Sequence, residues 1–241
     1  MSASPVDLAG LHILVTGAAQ GIGAAAASLC AALGAELVLV DRDSCAALAE
    51  AIGGRVRVFR ADVASRAEIE RLAATVGPVD ALVLNAALCP FGEDWRAADW
   101  DTSFERVMAV NVYGPIHAAR AFLPGMIARG RGRIVLIGSL AGRMGGLIAG
   151  PHYVASKGAV HALVKWLARQ AAPHGVLVNG IAPASVATPL MAGQPVDLAS
   201  IPLGRMADPE EIAAPVAFLC SPAASYICGA MLDVNGGVYM S

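Results

Sequence analysis

The feature that most limits what this chain can fold into is an alternation of short apolar runs with helical patterns, kept up from one end to the other. HILVT at 12–16, ELVLV at 36–40, RVRVFR at 55–60, DALVL at 80–84 and RIVLI at 133–137 read as strands, as do 176–181 and 230–234. Helical patterns occupy 21–33, 45–52, 66–76, 104–128, 153–171 and 209–219. Strands interleaved with helices predict an α/β class: a Rossmann-like doubly wound fold, with a seven-stranded parallel sheet and helices on both faces. The strands are nearly unbroken apolar runs, as expected when both faces are covered. A chain of 241 residues can bury a large core without disulfides, and no linker or repeat divides it, so one domain over 1–241 is predicted. A single irregular stretch, 184–207, is rich in Pro, Gly and small apolar residues and reads as a functional loop.

Composition removes several function classes. Hydrophobic residues make up 56% and charged residues 15%, which excludes disorder. Lys+Arg 17 against Asp+Glu 19 leaves a net charge of −2 with no basic block, so neither nucleic acid nor an anionic membrane surface is an expected partner. The mean hydropathy of +0.61 raises the question of a membrane span. The uncharged stretch 212–232 is long enough for one, but Pro215, Pro222 and Gly229 break it, and it reads as buried core. MSASPVDLAG at the start shows no secretory pattern, and the five scattered cysteines form no CxxC or Cys/His cluster. A cytoplasmic protein with reduced thiols and no metal is the expectation.

Two constellations carry chemistry. The first is TGAAQGIG at 16–23, between the first strand and the first helix. Gly17, Gly21 and Gly23 permit a sharp turn and a close backbone approach to a pyrophosphate, while the helix N-terminus at Gln20 and Ile22 offers free N–H groups. Asp41 ends the second strand, where a carboxylate would accept from ribose hydroxyls and repel a 2′-phosphate; NAD (NADH/NAD+) is therefore favoured over NADP. Arg42 follows as a cation beside the same turn, and Asp62 ends the third strand, placed for an adenine amino group or for capping the next helix.

The second constellation is Tyr153-Val154-Ala155-Ser156-Lys157. Tyr and Lys four apart share one helical face. A phenol with a pKa of about 10 is a poor base near neutrality. A neighbouring ammonium is expected to lower that value. Ser139, just after the fifth strand, is placed to hold a substrate oxygen, and Asn111 to position water or a backbone group.

Together these motifs resemble the classical short-chain dehydrogenase/reductase family, over residues 10–238. TGAAQGIG is similar to its cofactor loop, Asn85-Ala86-Ala87 to its Asn-Ala-Gly motif, and Asn111, Ser139, Tyr153 and Lys157 to its catalytic tetrad in order and spacing. The resemblance implies that Tyr153 is the acid/base, that Lys157 lowers its pKa and binds the nicotinamide ribose, that Ser139 orients the substrate oxygen and that Asn111 supports a water relay. It also implies that Asp62 and Val63 meet adenine, that Asn85, Ala86 and Ala87 line the ribose side, and that Pro183, Val186 and Thr188 lie along the nicotinamide. Two family glycines are replaced, by Ala87 and Ala184.

Substrate contacts are expected after the fourth and fifth strands and in the 184–207 loop, with Phe91, Leu140, Met144, His152 and Met191 as candidates. Arg143, the lone cation there, reads as an exposed loop charge. Apolar walls suit a hydrophobic secondary alcohol and its ketone. A 3-oxoacyl-thioester reductase, a polyol or sugar dehydrogenase, and a non-enzymatic NAD-binding sensor or scaffold are the alternatives. The resemblance further implies a homotetramer or homodimer, with Tyr239-Met240-Ser241 as candidates to reach a neighbouring subunit.

Overall fold

In the computed structural model, residues 6–240 are described, so the sequence readings of residues 1–5 and of Ser241 lie outside the described range. Strands β1 (His12–Thr16), β2 (Glu36–Asp41), β3 (Val56–Arg60), β4 (Ala81–Leu84), β5 (Gly132–Ile137), β6 (Val176–Pro183) and β7 (Met231–Val234) form one sheet in the order β3-β2-β1-β4-β5-β6-β7. Every pairing is parallel. The helices are α1 (Gly21–Ala32), α2 (Ala46–Ile52), α3 (Arg66–Val76), α4 (Trp100–Met108), α5 (Gly114–Ala128), α6 (Ala141–Met144), α7 (Pro151–Ala171) and α8 (Pro209–Cys220).

Side chains alternate across a strand, so an unbroken apolar run feeds two cores at once. Leu14 packs with Ile69 and Leu72 of α3, Phe122 and Met126 of α5, and Val160 and Val164 of α7. Its neighbours Ile13 and Val15 face the other way, onto Ala26 and Cys30 of α1 and Ile212 and Val216 of α8. Fully burying one such large aliphatic side chain is worth about 1.5–3 kcal/mol. At the sheet edge, β3 is half polar; Arg57 donates to the Thr75 and Val76 carbonyls and Arg60 to that of Arg42, which discourages pairing with another strand.

The helical pattern over 104–128 is not one helix. It begins earlier, at Trp100, and is interrupted by a π-helical turn, Ala109–Tyr113, before α5. The wider turn carries Asn111, whose buried side chain is fixed to the chain after β4 (below). The uncharged stretch 212–232 resolves into α8, a 3₁₀ turn at Pro222–Ala224 and β7. Among the described residues no helix is long and apolar enough to cross a membrane. The loop after β6 is closed at its neck by Val186 and Ala207, which pair as an isolated parallel bridge, and contains two 3₁₀ turns, Pro189–Met191 and Leu198–Ser200.

The sheet order reverses direction between β1 and β4, opening a crevice beyond their carboxyl ends. Packing there is tight. A Cβ on Gly23 would lie 2.0 Å from the Gly17 carbonyl oxygen and 2.6 Å from Asn85 Nδ2. Gly23→Ala is therefore expected to push α1 off β1 and lower the unfolding free energy in denaturant by about 1–3 kcal/mol; an unchanged midpoint would show that the turn yields without cost.

Candidate active site

The crevice at the β1/β4 switch holds an elongated cavity of about 270 Å³. Its floor is the β1–α1 turn: Gly17, Gln20, Gly21 and Ile22 line it. Gly17 sits at φ +66°, and a Cβ there would stand 2.7 Å from Ala86 Cα, so the residue serves both the turn and the close approach of β4's loop. Gln20, the N-cap of α1, makes no side-chain capping bond, and the first turn of the helix carries no acid, which leaves the N-terminus open to an anion. Gly23 does not line the cavity; it is the packing contact just described.

Asn85 staples the switch. Its Nδ2 donates to the Thr16 and Gly17 carbonyls at 3.1 and 2.9 Å, while the Asn85 and Ala86 amides donate to Thr16 Oγ1. With Ala87 they form the wall opposite the turn. Asp41 and Arg42 close one end of the cavity. Asp41 Oδ2 accepts from the Ala19 amide at 2.9 Å and Oδ1 from the Asp43 amide at 3.0 Å, so each oxygen keeps capacity for one more donor. Asp62 and Val63 line the side; Asp62 Oδ1 accepts from the Ala64 amide, so its carboxylate also serves its own turn. Thr188 lies over Gly21, its methyl 3.2 Å from where a Cβ would be. These residues fit a dinucleotide: an uncapped helix N-terminus at the centre, a carboxylate at one end, and a glycine cradle that a side chain would fill. Pro183 and Val186, expected along the nicotinamide, line neither this cavity nor its neighbour: Pro183 ends β6 and Val186 is buried in the loop's neck.

A second cavity, about 180 Å³, opens beside the first across Leu190, which lines both. Ser139 and Tyr153 are on its wall, with Cys89, Phe91, Leu140, Met144 and Met191. Tyr153 is the third residue of α7, in the first turn of a helix started by Pro151 at its first position. Lys157 is one turn on, nearly fully buried, donating to the Ile137 carbonyl at 2.8 Å, with Nζ 5.5 Å from the centre of the Tyr153 ring. The expected lowering of the Tyr153 pKa by this ammonium is not what the protein atoms produce. Burial is the largest influence and pushes the phenol above its usual value; the hydrogen bond with Ser139 works weakly the other way. Burial likewise pushes Lys157 down to about 8. Both groups are held closer to neutrality than in water.

Asn111 is buried, and its side chain is fully committed. Oδ1 accepts the Leu88 amide at 2.8 Å; Nδ2 donates to the Leu88 carbonyl and to Ser156 Oγ, each at 2.9 Å. Ser156 in turn donates to the Tyr153 carbonyl at 2.7 Å. Asn111 thus ties the chain after β4 to the helix that carries Tyr153 and Lys157, and it lines neither cavity.

Two expectations are corrected. His152 is fully buried and does not line the second cavity: its Nδ1 accepts the Tyr153 amide at 2.9 Å, its Nε2 meets Glu93 Oε2 at 3.1 Å, and its ring packs tilted against Trp100. A histidine at the start of a helix can satisfy the helix's free amide itself, and that local bond turns the ring inward. Arg143 is not an exposed charge. Its Nε is 2.7 Å from Asp233 Oδ1, its Nη2 donates to the Met231 carbonyl, and its guanidinium lies over the Tyr239 ring. Tyr239 thus meets Arg143 of its own chain. Ala87 and Ala184 occupy ordinary backbone: among the described residues no non-glycine has positive φ. Cys89, Ala184, Ser185 and Asp197 also line the second cavity, all within the stretches where substrate contacts are expected from sequence; Val238 lines it too and was not expected there.

Removing the Asn111 amide would leave the Leu88 amide and carbonyl without their partners. Asn111→Leu is expected to cost about 2–4 kcal/mol in denaturant unfolding; a loss under about 0.5 kcal/mol would show that this tie is not structural.

A family model described as enoyl-(acyl carrier protein) reductase matches residues 17–239. Galactitol 2-dehydrogenase (L-tagatose-forming) of Cereibacter sphaeroides is 40% identical, with 95% of each chain covered. A solved structure described as an NAD(P)-dependent gluconate 5-dehydrogenase from Beutenbergia cavernae, with bound NADP, superposes with a TM-score of 0.91 at 36% identity over 98% of this chain and 99% of that one. The 3-ketoacyl-(acyl-carrier-protein) reductase of Brucella melitensis, complexed with NADH, gives a TM-score of 0.91 at 33% identity over 97% and 100%.

Proposed function

The chain is an oxidoreductase of the classical short-chain dehydrogenase/reductase family, and from that membership we propose that it is an NAD-dependent alcohol dehydrogenase interconverting a hydrophobic secondary alcohol and its ketone. The observation that carries this reading is the Tyr153 and Ser139 pair on the wall of an apolar cavity adjoining the dinucleotide cradle. Nicotinamide dinucleotide, when bound, supplies the two-electron acceptor that takes hydride from the carbinol carbon. The protein does the rest. Tyr153 removes the hydroxyl proton as the alcohol is oxidised and returns it in the reverse direction. Lys157, as the cation, stabilises the phenolate of that exchange. Ser139 Oγ accepts the Ala141 amide at 3.1 Å, which leaves its own proton to hold the substrate oxygen. Asn111 acts through Leu88 and Ser156 on the placement of α7.

NAD is supported by Asp41, whose carboxylate at the ribose end of the cradle disfavours a further phosphate, with Arg42 as its counterweight. The hydrophobic alcohol is supported by a wall without Lys or Arg; Phe91, Leu140, Met144, Leu147, Ile148 and Met191 dominate it. That absence of cations disfavours a phosphopantetheine thioester. A polyol is the second reading, favoured by the galactitol dehydrogenase relative and by Ser185, Asp197 and Ser200 on the wall. An NAD-binding sensor would have no need of the Ser139–Tyr153–Lys157 arrangement. Exposed Tyr113 and Trp166, one before α5 and one on α7, support a homotetramer or homodimer built on these helices. Free cysteines suit a cytoplasmic setting, and the whole chain would act as one catalytic domain.

A panel of secondary alcohols, polyols and 3-oxoacyl thioesters, followed by NADH absorbance, decides among these. Turnover of polyols alone would overturn the hydrophobic assignment, and NAD binding with no turnover across the panel would favour the sensor. Tyr153→Phe is expected to lower kcat by about a hundred- to ten-thousandfold with NAD binding retained. Asp41→Ala is expected to raise kcat/KM with NADP relative to NAD about tenfold or more; an unchanged ratio would remove Asp41 from that role. With burial holding the Tyr153 pKa above its usual value, its basic form is a minor species that grows with pH, so alcohol oxidation should climb from about pH 6 to about pH 8, where Lys157 still carries its charge. A flat kcat/KM profile over that range would contradict Tyr153 as the base.

A further inference from the structure

One turn beyond Lys157 on α7, and on the same face as Tyr153, stands His161. After β5 the chain is pinned to β6 by two amides: Gly138 donates to the Ile181 carbonyl at 2.7 Å and Leu140 to that of Pro183 at 2.8 Å. The amide between them, that of Ser139, points to the opposite side, toward α7, and donates to His161 Nε2 at 3.4 Å. The approach is close enough that a Cβ on Gly138 would lie 2.6 Å from that nitrogen. Glycine at 138 is thus the residue that makes room for the ring.

The surroundings of His161 determine its state. Lys157 faces it from its own helix, Arg143 from α6 and Asp233 from β7; the Ser139 amide reaches it from the end of β5. Burial first, and then the two cations, push its pKa down to about 4, against the smaller pull of Asp233. The ring is neutral at ordinary pH, with its proton on Nδ1 and the Nε2 lone pair facing Ser139.

We propose that His161 is a positioning residue for the reaction: through its neutral Nε2 it holds the Ser139 amide and so fixes the seryl hydroxyl opposite Tyr153. This rests on the assignment of Ser139 to the substrate oxygen. Proton transfer depends steeply on the placement of such groups, and the Ser139 side chain is otherwise held by the Ala141 amide and by its hydrogen bond with Tyr153 itself. His161→Gln keeps an acceptor at the reach of Nε2; His161→Leu keeps volume and removes the acceptor.

Two readouts test the proposal on the full-length protein. Amide hydrogen exchange at Ser139 reads the bond with no substrate present, and is expected to speed up in His161→Leu and stay slow in His161→Gln. With an accepted alcohol, His161→Leu is expected to lose about ten- to a hundredfold in kcat with KM for NAD within about twofold, and His161→Gln to recover most of it. Unchanged Ser139 exchange in His161→Leu, or an equal loss in the two variants, would overturn the proposal. If His161→Leu does not fold, His161→Gln decides: slow exchange with near-native kcat supports the role, and fast exchange or a tenfold loss overturns it. Failure of the wild type to oxidise any alcohol would count against the function proposed above, while Ser139 exchange would still decide whether His161 holds that amide.

Discussion

The ammonium of Lys157 lies almost wholly out of water and rests on the carbonyl of Ile137, the last residue of β5. Burying a cation without a carboxylate partner is costly, and one carbonyl oxygen offsets only part of the cost. The fall of the Lys157 pKa to about 8 is the expression of that strain. The arrangement persists because α7 is fastened on several sides: Asn111 reaches Ser156 from the π-helical turn, Val160 and Val164 are buried in the core, and His152 accepts the Tyr153 amide in the first turn of the helix. The bond from Lys157 to β5 sets how far Tyr153 stands from the end of the sheet, and Ser139 is two residues beyond that carbonyl. The placements of Tyr153 and of Ser139 therefore share one anchor.

The sheet order explains why two cavities meet where they do. β1 and β4 part at the switch and admit a long ligand across their ends; β5 and β6 continue outward on one side and carry Ser139 and the loop after Pro183. Leu190, on a 3₁₀ turn of that loop, borders both spaces. A loop held at its neck by Val186 and Ala207, with only two short 3₁₀ turns between, can shape a cavity without disturbing the sheet.

Much of this was legible in the sequence because its signals are local and periodic. Seven apolar runs gave seven strands, since a strand covered on both faces is apolar throughout. The glycine turn and Asp41 could be placed on one crevice because both follow strands that pair directly. What could not be read depends on side chains meeting across the fold. The π-helical turn has no marker in the pattern of 104–128; it exists because Asn111 must reach Leu88. Arg143 looks like a loop charge until β7 brings Asp233 beneath it. His152 sits beside Tyr153 in sequence, yet a helix turns successive side chains about 100° apart, and adjacency in the chain is separation in space. His161, by contrast, has the four-residue spacing from Lys157 that does put two side chains on one face, and that spacing alone could have pointed to it.

The apolar wall and the buried charges belong to one design. A cavity lined by Leu140, Met144, Ile148 and Met191 lowers the local dielectric, so the few polar groups left in it act more strongly on one another than they would in water. The same environment opposes charge on Tyr153, and raises its pKa rather than lowering it. The protein atoms alone thus hold the phenol as an acid, which suits carbonyl reduction. Alcohol oxidation needs the phenolate, and therefore needs positive charge close by. Lys157 provides one such charge, and it keeps that charge only below about pH 8. In the reaction proposed above, the balance between the two directions is then set by how much cationic character the site holds when its ligands are in place, and the nearly uncharged walls leave little else to compete with it.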